Sequence, residues 1–455
     1  MADNFHKDLT QGSVTKQLIK FATPFLLSNL LQALYSVADM IIVGQFCGKT
    51  GITGVSIGSQ INILVTGAAM GLSVGGTVLI AQYGGQKMFG EQRKTIGTMT
   101  SLYMILAAVL TVAMLLLCDP LLMLLNTPES AYSEAKDYYN ICMGGMVFMF
   151  LYNAISGVLR GMGDSKRPLY FVLIAAITNV VLDLILVGKL GMASAGAAWA
   201  TISAQALSVI ISLIYLAKKK FFAEYKLIDF KISKDKLKPL MQIGLPSSIQ
   251  SRVVSLSFLT LTALVNSLPN AEVASACQGI GGKINSFAIL PGLAISSAIS
   301  SMAGQNIGAG EFARAKKTML TGMVMAFSVS VAVFAVVNLF PEFLIRLFDS
   351  EPEVIETGAR YIRIISFDYL FACIMFCLNG LAIAAGNTYI ALINAICNGI
   401  LVRMPVAYFL VKAMDMGFDG VAYAMGFASL IGIVIGAVYV QSGKWKKSII
   451  QKGNY

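Results

Sequence analysis

The sequence predicts an all-α membrane protein with twelve transmembrane helices in two pseudo-symmetric six-helix bundles around a central cavity. Three observations carry this. Of the 455 residues, 56% are hydrophobic and only 13% charged, with mean hydropathy +0.74. A soluble domain carries about 25% charged residues. The apolar stretches are long enough for membrane helices of about 20 residues, and too continuous for barrel strands, which alternate over about ten. Finally, the two halves of the chain resemble each other at a nearly constant offset.

Spans are predicted at 17–43, 52–82, 94–118, 135–159, 167–188, 191–217, 238–267, 273–304, 314–340, 354–385, 388–412 and 417–441. One long basic segment, AKKKFFAEYKLIDFKISKDKLKP at 217–239, separates six spans from six. The expected divisions are a tail at 1–16, a first lobe at 17–217, a linker at 218–237, a second lobe at 238–441 and a tail at 442–455. The first 13 residues are polar and lead into a full-length span, so no cleavable signal peptide is expected.

The charges set the orientation. Lys87, Arg93, Lys94, Arg160, Lys166, Arg167, the central linker, Arg314, Lys316 and Lys317 fall on one side with both termini. The other side carries Lys49, Lys136, Lys189, Lys412 and a mostly acidic loop around 342–363. The positive-inside rule then puts both termini in the cytoplasm of a multi-pass inner (cytoplasmic) membrane protein. The net charge of +11 is scattered over helix ends rather than gathered into a footprint, so no nucleic-acid partner is expected. The expected partners are membrane lipid and a small organic substrate, and the chain is expected to be a monomer.

Seven cysteines include no C-x-x-C pair. Most lie in apolar runs and read as small core residues. Cys373 and Cys377 share a helix face, but the single histidine is His6 in the tail, so no zinc site is expected.

The repeat is specific. QYGGQKMFGEQRKT (82–95) aligns with QNIGAGEFARAKKT (305–318) without a gap. The same offset of 223 pairs Ile61-Asn62 with Ile284-Asn285 and Gly163 with Gly386, and Pro24 pairs with Pro246 at 222. Six spans repeated in one orientation suit alternating access. Gly67, Gly71 and Gly75 line one face of the second span and read as a close-packing surface. Pro24 and Pro246 fall early in spans one and seven, where a proline removes a backbone hydrogen bond and leaves a place to bend.

Six ionisable residues lie deep in the spans: Asp39, Asp183, Arg252, Lys283, Asp368 and Arg403. Bilayers penalise such residues, so each is a functional candidate. The first half holds two acids and no deep base. The repeat counterparts of Asp39 and Asp183 fall at Leu261 and near Val406, so the acids are not needed to build a six-helix bundle. Two buried carboxylates without a cation either hold a proton or take a hard cation through their oxygens. Asn179 precedes Asp183 by four residues and shares its helix face. Its carbonyl adds an oxygen, and a hydroxyl of the next span can add another. Tyr35, one turn before Asp39, is a candidate cavity residue. Asp368 is expected to form a structural ion pair with Arg252 or Lys283, with substrate contact by all three as the alternative. Arg403, just before Met404-Pro405, has no assigned role beyond a helix-end carbonyl contact.

PFLLSNLLQALYSVADMIIVG (24–44), LYNAISGVLRGMGDSKRP (151–168), TNVVLDLILV (178–187) and GAAWATISAQ (196–205) resemble the multidrug and toxic compound extrusion (MATE) transporters, most closely their DinF-like branch. The resemblance implies a first-lobe cation site at Asp39, Asn179, Asp183 and Thr201, with Asn153 and the backbone near Ala197 linked to it. It implies export of organic, often cationic compounds by antiport against H⁺ or Na⁺, with no cofactor. Na⁺, if used, would sit at Asp39, Asn179, Asp183 and Thr201. Helix one would shift near Pro24. The seventh-helix glutamate of the NorM-like branch is missing, and Arg252 lies in that segment.

Two rival readings stand beside it. A lipid-linked sugar flippase of the same superfamily would use Arg252, Lys283 and Arg403 for anionic substrates. An intramembrane aspartyl protease would use GMGD (161–164), although Asp164 leads into SKRP, a basic loop.

Overall fold

The computed structural model describes residues 6–450, and among these the regular structure is all helical. The longest helix, Val14–Gly85, has 72 residues. At about 1.5 Å per residue it is over three times the length needed to cross a hydrocarbon core of about 30 Å. Gly48 breaks it, with φ 62° and ψ −161°, a region that essentially only glycine occupies. The break lies between the first two predicted spans. The third span is Phe89–Leu116, and the fourth is the pair Glu129–Gly144 and Met146–Gly161, bent by 48°. Lys166–Lys189 and Ala193–Lys218 complete the first six. The second six are Lys234–Val265, Ala271–Gly308, Phe312–Leu339, Pro352–Ala384, Thr388–Ala413 and Gly417–Gln441. With the two arms of Val14–Gly85 there are twelve spans among the described residues.

The repeat extends to single contacts. Ser73 Oγ donates to the Asn153 carbonyl at 3.0 Å, and its counterpart Ser296 Oγ donates to the Phe376 carbonyl at 2.7 Å. Thr95 bonds to the Glu91 carbonyl as Thr318 bonds to that of Arg314. The turns match as well. Gly163 and Gly386 both take left-handed conformations, φ 85° and 77°, which end helices without the penalty of a Cβ.

The chain folds as two compact units. One holds His6–Asp8 together with Leu27–Ser248, and the other holds Leu9–Leu26 and residues 249–450. This differs from the expected lobes of 17–217 and 238–441, and packing gives the reason. A Cβ at Gly71 would lie 2.4 Å from the Ser248 backbone, and one at Gly75 would lie 2.5 Å from the Leu240 carbonyl oxygen. Ser248 Oγ also donates to the Ala68 carbonyl at 3.0 Å. The small-residue face of the second span therefore binds the start of the seventh into the first unit. In the second unit, Leu18, Phe21 and Ala22 are buried in a core with Ile295, Met302, Leu381 and Trp445. Arg314 donates to the carbonyls of Gln11 and Gly12 and ties down the chain before that core. Both switches of unit come two residues after a proline, Pro24 and Pro246.

Part of the expected linker is also docked. Its short helical turns, Phe221–Glu224 and Leu227–Phe230, lead onto Phe89–Leu116. There Gly97 meets the Asp229 backbone and Ser101 Oγ donates to the Phe230 carbonyl.

Candidate cation-binding site

Three segments of the first unit build the site. The second half of the first span carries Asp39, half-buried. The fifth span, Lys166–Asp183 followed by the π-helical turn Leu184–Lys189, ends its α segment at Asp183. Asn179 and Asp183 are buried, and Asp183 has no exposed surface. The sixth span, Ala193–Lys218, contributes half-buried Thr201 and, one turn before it, fully buried Ala197. Ser194 fixes the start of that helix by bonding through its backbone N–H and its hydroxyl to Glu134 of the fourth span.

Asp39 and Asp183 are close enough for their charges to act on each other. Asn179 Nδ2 donates to Thr201 Oγ1 at 3.4 Å, which leaves its carbonyl oxygen over. Four buried oxygens in this group have no hydrogen-bond donor: Asp39 Oδ1, Asn179 Oδ1 and both carboxyl oxygens of Asp183. Every one is an acceptor. Buried polar atoms normally find partners, so this cluster is chemically incomplete and fits a proton or a hard cation.

The structure thus brings Asp39, Asn179, Asp183 and Thr201 together. Asn153 lies differently: its side-chain amide donates to the Met149 carbonyl on its own helix at 2.8 Å. Tyr35 is half-buried and electrostatically coupled to Asp39 and to Tyr152. Pro24 belongs to the second unit. In that unit Arg252 is half-buried, while Lys283 is exposed and lies over the Phe348 ring at 5.8 Å. Buried Asp368 feels the charge of Arg403, a partner the sequence did not suggest.

Sequence reasoning missed some neighbours. Tyr138 and Cys142 of the fourth span are buried near Asp39, but nothing in the sequence around them marks a site. Arg160 reads as a loop charge, yet it is half-buried and donates to Ser73 Oγ at 3.3 Å. The clue was that Met146–Gly161 stays apolar through its last turn. Asp164 is buried and bonds to Lys7, Arg167 and the backbone N–H of Lys166. It anchors the start of the fifth span, with its carboxyl engaged by Lys7 and Arg167, which speaks against the protease reading.

A model of the MatE family matches residues 24–185 and again 246–409. The chain belongs to the MatE family. The two matches begin at Pro24 and Pro246, a pair that the repeat also aligns. Across 445 residues the chain is 30% identical to the probable multidrug resistance protein YpnP of Bacillus subtilis, covering 96% of this chain and 97% of that protein. It is 28% identical over 446 residues to the probable multidrug resistance protein NorM of Thermotoga maritima, covering 96% and 94%. Its fold matches the outward-facing structure of a multidrug resistance MATE family transporter of the MOP superfamily, with TM-score 0.91 at 23% identity, covering 96% and 97%. The protein is a multi-pass membrane transporter of this family, and not an enzyme.

Proposed function

We propose that the protein is a secondary antiporter that exports small organic, often cationic compounds in exchange for H⁺ or Na⁺. The observation that carries this is the set of four buried, donor-less oxygens on Asp39, Asn179 and Asp183. A proton or Na⁺ entering the cluster neutralises charge that the bilayer otherwise penalises. Asn179 is held by Thr201 with its carbonyl free for the cation. Binding shifts a conformational equilibrium only by its differential affinity for the two states, and neutralising the acid pair supplies that difference. The first helix is a suitable element to respond, because its packing changes unit two residues after Pro24. With the basic connections inside, both termini face the cytoplasm. Uptake of cation from outside then drives substrate out.

Dye efflux from proteoliposomes with either an imposed Na⁺ gradient or an imposed pH gradient tests this. One of the two is expected to drive efflux, and the one that does so names the ion. Efflux with neither, from protein shown to be folded, would contradict the antiport reading and favour the flippase.

A further inference from the structure

The second unit holds a partly open, largely apolar cavity of about 120 Å³ with a few polar side chains in its wall, which the coupling chemistry does not use. Asp368 and Arg403 line it from the tenth and eleventh spans, and both are more than nine-tenths buried. Opposite charges buried together normally pair, yet these two attract each other without forming an ion pair. Arg403 is held elsewhere. Its Nη2 donates to Asn398 Oδ1 at 2.9 Å, Nη1 reaches Ser257 Oγ at 3.4 Å, and the guanidinium lies over the Phe258 ring at 5.0 Å. Asp368 is steadied by the Ser429 hydroxyl. Each charge keeps an unused, buried atom: Asp368 Oδ1 and Arg403 Nε. Asn285 Oδ1 and Asn394 Oδ1, on other walls of the cavity, are also without donors.

This arrangement is particular to the second half. At the repeat offset, Asp368 and Arg403 fall at Gly145 and Val180, so neither is needed to build a bundle. Both halves have a π-helical turn at the end of the corresponding span, Leu184–Lys189 and Phe409–Ala413. Only the second adds another, Cys397–Arg403, where the first half stays α-helical. Its wider turn brings Arg403 over Asn398, five residues earlier. Such π segments are frequent at functional sites.

We propose that this cavity is a second ligand site, which takes the zwitterionic head of a small amine carboxylic acid. The ammonium donates to Asp368 Oδ1 and the amide oxygens of Asn285 and Asn394, and the carboxylate accepts from Arg403. Three orphan acceptors and one orphan donor match that inventory. A simple cation meets the Arg403 charge, a simple anion meets Asp368, and a net-neutral zwitterion satisfies both. Phe258 and Val254 at the rim are partly exposed and give an apolar body a place to lie. The proposal builds on the transporter reading for its purpose, but its test needs no gradient.

Nε-dansyl-lysine, its methyl ester and its Nα-acetyl derivative carry the same fluorophore with zwitterionic, cationic and anionic heads. Their binding to the full-length protein in nanodiscs is read from dansyl fluorescence. The zwitterion is expected to bind at least about tenfold more tightly than either derivative. In Arg403→Met the preference over the ester is expected to vanish, with the ester now bound, which also shows that the variant is folded. Equal binding of all three by the wild type would overturn the proposal and leave a hydrated polar cluster only. So would a preference that Arg403→Met leaves intact. Loss of gradient-driven efflux with this preference retained would instead count against the antiport reading alone.

Discussion

Asp183→Asn is expected to abolish gradient-driven efflux without destabilising the protein. The substitution keeps the shape of the side chain and removes its charge. A carboxylate that served the fold would have partners to lose, but both oxygens of Asp183 are buried with no donor. Replacing an uncompensated buried acid with an amide relieves a burial cost, so Tm in detergent should stay level or rise. Efflux in proteoliposomes should drop at least about tenfold, equivalent to about 1.4 kcal/mol of lost driving interaction. Asp39→Asn should behave in the same way, since Asp39 acts electrostatically on Asp183 and also keeps a buried oxygen without a donor. A fall in Tm with efflux retained would make the pair a structural device.

Gly75→Leu is expected to have the largest effect on stability. A Cβ there already lies 2.5 Å from the Leu240 carbonyl oxygen and 3.0 Å from the Gly244 backbone nitrogen. Both are main-chain atoms of a packed helix, so no side chain can rotate out of the way. Overpacking typically costs about 1–3 kcal/mol, and a contact against backbone belongs at the upper end. The start of the seventh span should be displaced from the first unit, with lower Tm and reduced yield of folded protein. Gly75→Ala should show the same direction with a smaller effect. Unchanged Tm in Gly75→Leu would mean that this helix contact does not hold the unit together.

Much of this was legible in the sequence for identifiable reasons. Continuous apolar runs gave the spans, because lipid demands them, and Gly48 falls between two of them. Asp39 and Asp183 stood out because charges are rare in a bilayer, and Asn179 because it lies one turn from Asp183. The boundary of the units was not legible. Hydrophobicity marks a helix as buried but does not say which bundle its first half joins, so residues 17–26 and 238–248 were expected in the other lobe. Arg403 was opaque because its partners depend on a π-helical turn that shifts the helical phase, placing it over Asn398 five residues back. Arg160 was misread because a basic residue near a helix end looks like a loop charge, while its tip reaches inward to Ser73.

The most direct test of the coupling claim is simultaneous measurement of dye efflux and cation uptake in proteoliposomes. Under an imposed gradient of the driving ion, the wild type is expected to take up cation in step with dye release. Both fluxes should be absent together in Asp39→Asn. Dye release with no accompanying cation movement, or full exchange in Asp39→Asn, would contradict the assignment of the first-unit acid cluster as the coupling site.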